Sequence, residues 1–291
     1  MRYFVLFLAL GCAPLAHAQL TSLKGAGAKP EEAVGEATPE MIEDEYLRVA
    51  KKCGFTIGNT LGSGVTGTLL SPEEAREHLP KFFAAMDIFP VRFLRETRLH
   101  TVVLCRNLKS NGGRVGGLAV STGTIYLDVP FGSYVIYHEM FHIADKQWQN
   151  EKWTKLNDKQ FSYSGAPAPD KKPKPTAKQD PIKTKEELRK DFVSDYAMTQ
   201  EMEDRAETFA LMVADPKKFA ALAKENPVLE QKAQIVKKIV RDFAPAMNKD
   251  FWDFIADSDD ASRMEDFMKR AKINDQRKKD KKAVLNSGYT K

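Results

Sequence analysis

The chain has few of the features that mark fibrous, membrane-spanning or disordered proteins. Its 291 residues include 15 prolines and 17 glycines, too few for a collagenous or wholly disordered chain. The apolar run over residues 3–10 is too short to span a membrane, and no later run is long enough. Lys and Arg number 45 against 40 Asp and Glu, a surplus too small to indicate nucleic acid or an anionic membrane as a partner. The 42% of hydrophobic residues suffices for a sizeable core.

The N-terminus has the pattern of a secretory signal. Arg2 precedes an apolar run over residues 3–10, and Ala16-His17-Ala18 is the small-x-small pattern that precedes cleavage. We therefore expect residues 1–18 to be a signal peptide and the protein to be secreted or periplasmic. One alternative is a lipoprotein anchored through Cys12, although the residues that precede Cys12 match a lipoprotein site poorly. The other is a cytosolic protein with an apolar first strand.

Cysteine is scarce, with three residues, one of which lies in the predicted signal. Cys53 and Cys105 remain in the mature chain. In an oxidising compartment they could form one disulfide, and two buried free thiols are the other possibility. Neither has the spacing of a metal knuckle.

The rest of the chain divides by composition, and it contains no internal repeats. Residues 19–37 are poor in large apolar side chains and predict a flexible leader. Residues 38–273 predict one folded domain, interrupted over 162–185 by a Pro- and Lys-rich segment that we interpret as a surface loop. Residues 274–291 form a basic tail, for which a solvated end is the simplest interpretation.

Hydrophobic periodicity predicts an α+β fold. Residues 99–105 and 118–129 have strand character, and a glycine-rich hairpin or flexible loop lies between them. A helical period begins at Tyr134 with Ser133 as its N-cap, and further helices follow, the last over 261–272. Upstream, a capping box at Ser71 starts a helix that Pro80 is expected to end or kink.

The strongest chemical signal is His138-Glu139-Met140-Phe141-His142. On a helix, positions i and i+4 lie one above the other, so both imidazoles face the same way and can bind one Zn²⁺. Glu139 is turned about 100° from His138 and is better placed to act on a water molecule than to ligate the same ion. The pattern predicts metal-assisted hydrolysis, and the alternative is two histidines on an ordinary core helix.

A catalytic zinc site needs a third protein ligand. In the metzincin pattern the third and sixth residues after His142 are Gly and His, and here they are Asp145 and Trp148. A carboxylate on a later helix is the other option, and Glu203 and Glu207 lie at i and i+4 beside apolar residues. Carboxylates that pack inward need a cation or a hydrogen-bonded partner. The competing interpretation is a salt-bridged helix surface.

Two blocks of residues carry a family resemblance. Tyr196-x6-Glu203-x3-Glu207-x-Phe209, together with His138-Glu139-x2-His142-x2-Asp145, resembles the catalytic domain of anthrax toxin lethal factor and its relatives. The Pro-Pro endopeptidases are similar, and all are gluzincin-type zinc metalloproteases. The resemblance covers about Leu99 to Phe243 and implies a zincin-like fold.

The resemblance also implies a role for each residue. His138, His142 and Glu203 would hold one zinc ion, and Glu139 would be the general base. Tyr196 would donate its hydroxyl to the developing oxyanion. Glu207 and Asp145 would lie behind the ligands, where a carboxylate can hold the second nitrogen of a ligating histidine.

The expected function is a secreted zinc endopeptidase with a peptide or protein substrate. In such proteases an edge strand before the motif helix commonly aligns the substrate, and here the candidate lies within residues 117–129. His142 and Glu203 are 61 positions apart, more than expected for these relatives, and the loop at 162–185 accounts for the excess. A zinc hydrolase of cell-wall peptides and a non-catalytic peptide-binding descendant are the alternatives.

Overall fold

The structure is a computed structural model that describes residues 39–145, 152–164 and 183–287. The predicted signal peptide, Cys12 and the leader at 19–37 lie outside the described residues. So do residues 165–182 of the predicted loop and the last four residues of the predicted tail.

Ten α-helices and six strands lie within those three ranges. The helices are α1 (Pro39–Cys53), α2 (Pro72–Asp87), α3 (Val91–Glu96), α4 (Ser133–Asp145), α5 (Lys185–Arg189), α6 (Glu201–Ala214), α7 (Pro216–Glu225), α8 (Pro227–Phe243), α9 (Lys249–Asp257) and α10 (Asp260–Ser287). The strands are β1 (Thr56–Gly58), β2 (Val65–Leu69), β3 (Thr101–Ser110), β4 (Gly113–Arg114), β5 (Gly117–Val120) and β6 (Thr124–Asp128). All these strands precede α4, which confirms the predicted α+β class with a mostly helical C-terminal half.

The strands form one mixed sheet in the order β1-β3-β6-β5. The pairs β1–β3 and β3–β6 are parallel, whereas β5 is antiparallel to β6, and β2 and β4 pair with β3. Among the described strands β5 pairs with β6 alone, so it forms one edge of the sheet. The predicted strand over 118–129 is thus a hairpin of two strands, and β1 and β2 were not predicted.

The apolar core holds α4 between the sheet and α6. Ile125 and Leu127 of β6 are fully buried beneath α4. On the opposite side, the rings of Phe141 and Phe209 stack with centroids 4.8 Å apart. Ala206 and Ala210 of α6 are also fully buried, and their small side chains let the two helices approach closely. This packing places the motif helix in the interior of the molecule.

Two predicted helix ends differ from the structure. The capping box at Ser71 is present, but α2 continues through Pro80 to Asp87. The residues after Pro80 bury Phe82, Phe83 and Met86, and this burial outweighs the backbone hydrogen bond that proline removes.

The last helix also runs beyond its predicted end at residue 272. α10 continues to Ser287, so the first part of the predicted tail is helical. Arg270 and Asn274 hydrogen-bond the carboxylate of Glu45, a fully buried residue of α1. These contacts tie the helix to the domain past the point where its apolar period fades.

Part of the predicted loop belongs to the fold. Tyr163 is buried and donates a hydrogen bond of 2.7 Å to Oδ2 of Asp204 on α6. The same oxygen accepts from Trp153 at 2.9 Å and from Lys232 of α8 at 2.7 Å. The side chains of Asp204 and Lys232 are fully buried. This cluster joins the segment 152–164 and α8 to the N-terminal half of α6.

Cys53 and Cys105 are both buried and free, so the disulfide alternative is not realised. Among the described residues, none of the helices combines the length and the apolar character that a membrane crossing requires.

The buried pair allows a test of how α6 is held. We expect Lys232→Met to lower the free energy of unfolding by about 3 kcal/mol, because it leaves the buried Asp204 carboxylate without its counter-ion. Urea denaturation measures the change. Lys238→Met, which removes the exposed partner of Asp242 on the same helix, is the matched control and should change stability by less than about 0.5 kcal/mol. Equal effects of the two substitutions would contradict this account of the cluster.

Candidate metal centre

Two helices bring the predicted ligands together. Nε2 of His138 lies 2.9 Å from Nε2 of His142. Oε2 of Glu203 lies 3.1 Å from the first of these nitrogens and 3.2 Å from the second. One turn below, Oε1 of Glu207 lies 2.8 Å from Nδ1 of His138. The i and i+4 pair of α4 therefore faces the i and i+4 pair of α6, as their spacing on two helices allows.

Contacts on both sides of the site fix this pairing of helices. Near the start of α4, the hydroxyl of Tyr134 donates to the backbone carbonyl of Glu207 at 3.3 Å. At the end of α4, Arg205 donates to both carboxylate oxygens of Asp145 over 2.8–3.0 Å. The helices are thus antiparallel, and the histidines lie between the two contacts.

The donor set fits a zinc ion. Two imidazole nitrogens and a carboxylate oxygen are the ligands of many catalytic zinc sites. Zinc–nitrogen bonds of about 2.0–2.1 Å in a tetrahedron require ligand atoms about 3.3 Å apart, close to the separations found here. Among the described residues, His138, His142 and Glu203 are the group of side chains that could together hold a metal ion.

The electrostatics of the cluster favour a positive charge among these atoms. Burial opposes a charged imidazole at His138, but its contacts with Glu203 and Glu207 outweigh burial and raise its pKa to about 10. Burial likewise opposes the Glu203 carboxylate, yet the two histidines hold its pKa at about 2. A proton or a metal ion satisfies this demand, and three converging lone pairs suit the metal ion.

Glu139 points from α4 towards the edge strand. Its side chain is buried, and the backbone N–H of Ala119 on β5 hydrogen-bonds its carboxylate. Burial raises the pKa of Glu139, and the two histidines partly offset that rise. The strand passes so close that a Cβ on Gly117 would lie 2.7 Å from both Cγ and Oε1 of Glu139. Glycine at this position thus makes room for the carboxylate.

Tyr196 lies on the open side of the cluster. It begins a 3₁₀ turn over Tyr196–Met198, and its side chain is 54% exposed. Its ring centroid is 6.0 Å from that of His138. Partial burial of its hydroxyl and the nearby carboxylate of Glu203 raise the pKa of Tyr196, so the phenol stays protonated and can donate a hydrogen bond.

Asp145 differs from its expected place. Its carboxylate is engaged by Arg205, and Nδ1 of His142 is buried without a hydrogen-bond partner among the described residues. Asp145 therefore fastens α4 to α6 instead of contacting a ligand. The Arg205 guanidinium outcompetes the imidazole because it offers a planar pair of donors and a permanent charge.

Sequence reasoning missed three residues of the site. Arg205 lies between Glu203 and Glu207, where its helical position could have indicated a partner on α4. Gly117 belongs to a glycine-rich segment that we interpreted only as a turn or a source of flexibility. Ser194 carries no recognisable signal, yet its hydroxyl donates to Oε2 of Glu207 at 2.5 Å.

A family match agrees with this chemistry. Residues 131–245 match a protein family described as "putative zinc-binding metallo-peptidase". The matched range includes α4, α6 and Tyr196. The match supports the interpretation of the protein as a zinc-binding metallopeptidase. A solved structure of a protein with the same description, from Bacteroides caccae, is 15% identical with a TM-score of 0.47, and the likeness covers 80% of this chain and 96% of that one. No curated protein matches the chain.

Metal content tests whether α4 and α6 share one ion. We expect His142→Ala and Glu203→Ala each to weaken zinc binding by more than about 100-fold, because each removes one of three ligands. Titration against a chelating dye measures the affinity. Glu265→Ala, which removes an exposed carboxylate on α10, should bind zinc like the wild type. Unchanged affinity in Glu203→Ala would show that the third ligand lies elsewhere.

Proposed function

We propose that the protein is a zinc-dependent endopeptidase of the gluzincin type, with a zincin-like catalytic domain. The convergence of His138, His142 and Glu203 within 3.2 Å, with Glu139 on the adjoining face of α4, carries the proposal. The family match over residues 131–245 supports the same class of enzyme.

His138, His142 and Glu203 would hold the ion. A bound zinc ion supplies a Lewis acid that polarises the scissile carbonyl and lowers the pKa of the attacking water. Oε1 of Glu207 lies 2.8 Å from Nδ1 of His138, so a proton on that nitrogen would face a carboxylate and the Nε2 lone pair would be left for the ion.

Glu139 is the proposed general base. One carboxylate oxygen takes a proton from the attacking water, and the same group then gives it to the nitrogen of the leaving amine. Burial raises the pKa of Glu139, which makes the carboxylate a stronger base than an exposed one. The Ala119 N–H orients the group, so little reorganisation is needed when the proton moves.

Tyr196 is the proposed donor to the oxyanion. Its pKa is raised, so it remains a neutral phenol at physiological pH and can donate to the oxygen that gains charge. Tyr196 is 54% exposed, and its ring centroid lies 6.0 Å from that of His138, so part of the residue is accessible beside the ligand cluster.

The edge strand β5 is the proposed guide for the substrate. An extended peptide can add to such an edge through backbone hydrogen bonds, with its side chains pointing alternately to either side. Since β5 also holds Glu139, a substrate on this strand would lie next to the proposed base.

Secretion or export to the periplasm is part of the proposal and rests on the pattern of residues 1–18.

A zinc hydrolase of cell-wall peptides would use the same site residues as a protease. Assays on protein and on wall fragments distinguish the two substrates. A binding protein without activity would have no use for a carboxylate buried and oriented as Glu139 is.

The base assignment predicts a separation of binding from catalysis. Glu139→Gln should retain zinc at wild-type affinity and lose at least about 100-fold in kcat, because the amide cannot take a proton from water. Hydrolysis of a protein substrate, with and without a chelator and added zinc, measures the effect. Full activity in the variant would refute the assignment of the base.

The close approach of β5 gives a second test. In Gly117→Ala the new Cβ displaces the Glu139 side chain, so we expect kcat to fall about 10- to 100-fold with zinc affinity unchanged. Gly116→Ala is the matched control, since no atom lies within 4 Å of a Cβ there, and its kcat should stay within about 2-fold of wild type. Similar activities of the two variants would contradict this role of Gly117.

A further inference from the structure

The Ser194 hydroxyl hydrogen-bonds Glu207, which lies behind a proposed zinc ligand, and the turn that carries Tyr196. Ser194 lies in the chain between α5 and the turn that begins at Tyr196. Its Oγ donates to Oε2 of Glu207 at 2.5 Å, and Oε1 of the same carboxylate contacts Nδ1 of His138 at 2.8 Å. Ser194 is therefore one carboxylate removed from a proposed zinc ligand.

The same oxygen also supports the tyrosine turn. The backbone N–H of Ala197 donates to Oγ of Ser194 at 3.0 Å. Ala197 is fully buried and directly follows Tyr196 in the 3₁₀ turn. The position of the Tyr196 backbone thus depends in part on where the Ser194 hydroxyl is held.

The donors and acceptors of this chain of contacts match. A serine hydroxyl has one proton to donate and lone pairs to accept with. The proton goes to Glu207, and a lone pair receives the N–H of Ala197. The other oxygen of Glu207 lies 2.8 Å from Nδ1 of His138, so a proton on that nitrogen faces the carboxylate. That tautomer leaves the Nε2 lone pair for a metal ion.

We propose that Ser194 is a positioning residue that couples the tautomer and orientation of His138 to the placement of the Tyr196 hydroxyl. This inference rests on the proposed function, because it assigns Ser194 to the same zinc centre. It predicts that removal of the Ser194 hydroxyl weakens both zinc binding and the stabilisation of the transition state.

The turn has other supports, so it should survive loss of the hydroxyl. Met198 N donates to the backbone carbonyl of Asp195 at 3.2 Å, and Oγ1 of Thr199 donates to that of Tyr196 at 2.7 Å. We therefore expect Ser194→Ala to alter the orientation of the turn without unfolding it.

The test measures zinc affinity and turnover separately. For Ser194→Ala we expect zinc to bind about 10-fold more weakly to the apoprotein, and kcat at saturating zinc to fall about 10-fold. KM should change by less than about 2-fold, because the Ser194 hydroxyl does not contact β5, the proposed guide for the substrate. Ser194→Thr keeps the hydroxyl and should restore both quantities.

Ser164→Ala is the matched control. Its hydroxyl donates to the carbonyl of Thr199 at 3.4 Å, at the other end of the same turn, and does not contact Glu207. We expect wild-type zinc affinity and kcat in this variant. If it weakens zinc binding as much as Ser194→Ala does, the effect is general loosening of the turn and the inference is wrong.

A double substitution separates the two arms of the coupling. In a Tyr196→Phe background, Ser194→Ala should still weaken zinc binding about 10-fold but should lower kcat by less than about 2-fold further. Wild-type affinity in Ser194→Ala, in a protein that binds zinc and hydrolyses peptide, would overturn the inference alone. A wild-type protein that binds no zinc or cleaves no peptide would overturn the proposed function and this inference with it.

Discussion

The antiparallel contact between α4 and α6 is the interaction on which the rest of the site depends. Each helix carries two polar groups four residues apart, and when the helices face one another each histidine meets a carboxylate. None of these groups could be buried alone without a large cost, so each requires the other helix to be in place. The stacked rings of Phe141 and Phe209 supply the apolar part of the same contact.

The sheet contributes through its edge. β5 lies beside α4, donates a backbone hydrogen bond to Glu139 and comes too close at Gly117 for any larger residue. Burial raises the pKa of this carboxylate and the fixed donor gives it a defined direction, and both suit a base. The edge that would receive a substrate strand is therefore the edge that holds the group proposed to act on it.

Much of this site could be predicted from local patterns, because its chemistry repeats with the period of a helix. The motif at His138 and the pair at Glu203 and Glu207 are visible in the sequence, and the structure brings all four side chains together. Contacts between distant elements were beyond such reasoning. The pairing of Asp145 with Arg205 depends on the relative direction of two helices, which no local pattern reveals.

The same contrast between local patterns and distant contacts explains which parts of the fold could be predicted. Strand and helix periods predicted the α+β class, whereas β1 is only three residues long and shows no alternation to detect. The helix end predicted at Pro80 was wrong, because the rule that proline ends a helix takes no account of the phenylalanines that the following turn buries. Tyr163 was assigned to a surface loop by its neighbours' composition, although its own hydroxyl has a buried acceptor.

Three successive residues of α6 explain why Glu203 is held where it is. Successive side chains on a helix point about 100° apart, so Glu203, Asp204 and Arg205 point in three directions. All three are buried, and each has its partner on a different element or face: the histidines of α4, Lys232 of α8, and Asp145 at the end of α4. Rotating or sliding α6 to improve one contact would break another, because the partners diverge. The orientation of the proposed third ligand is thus set as much by its two neighbours as by the metal site itself.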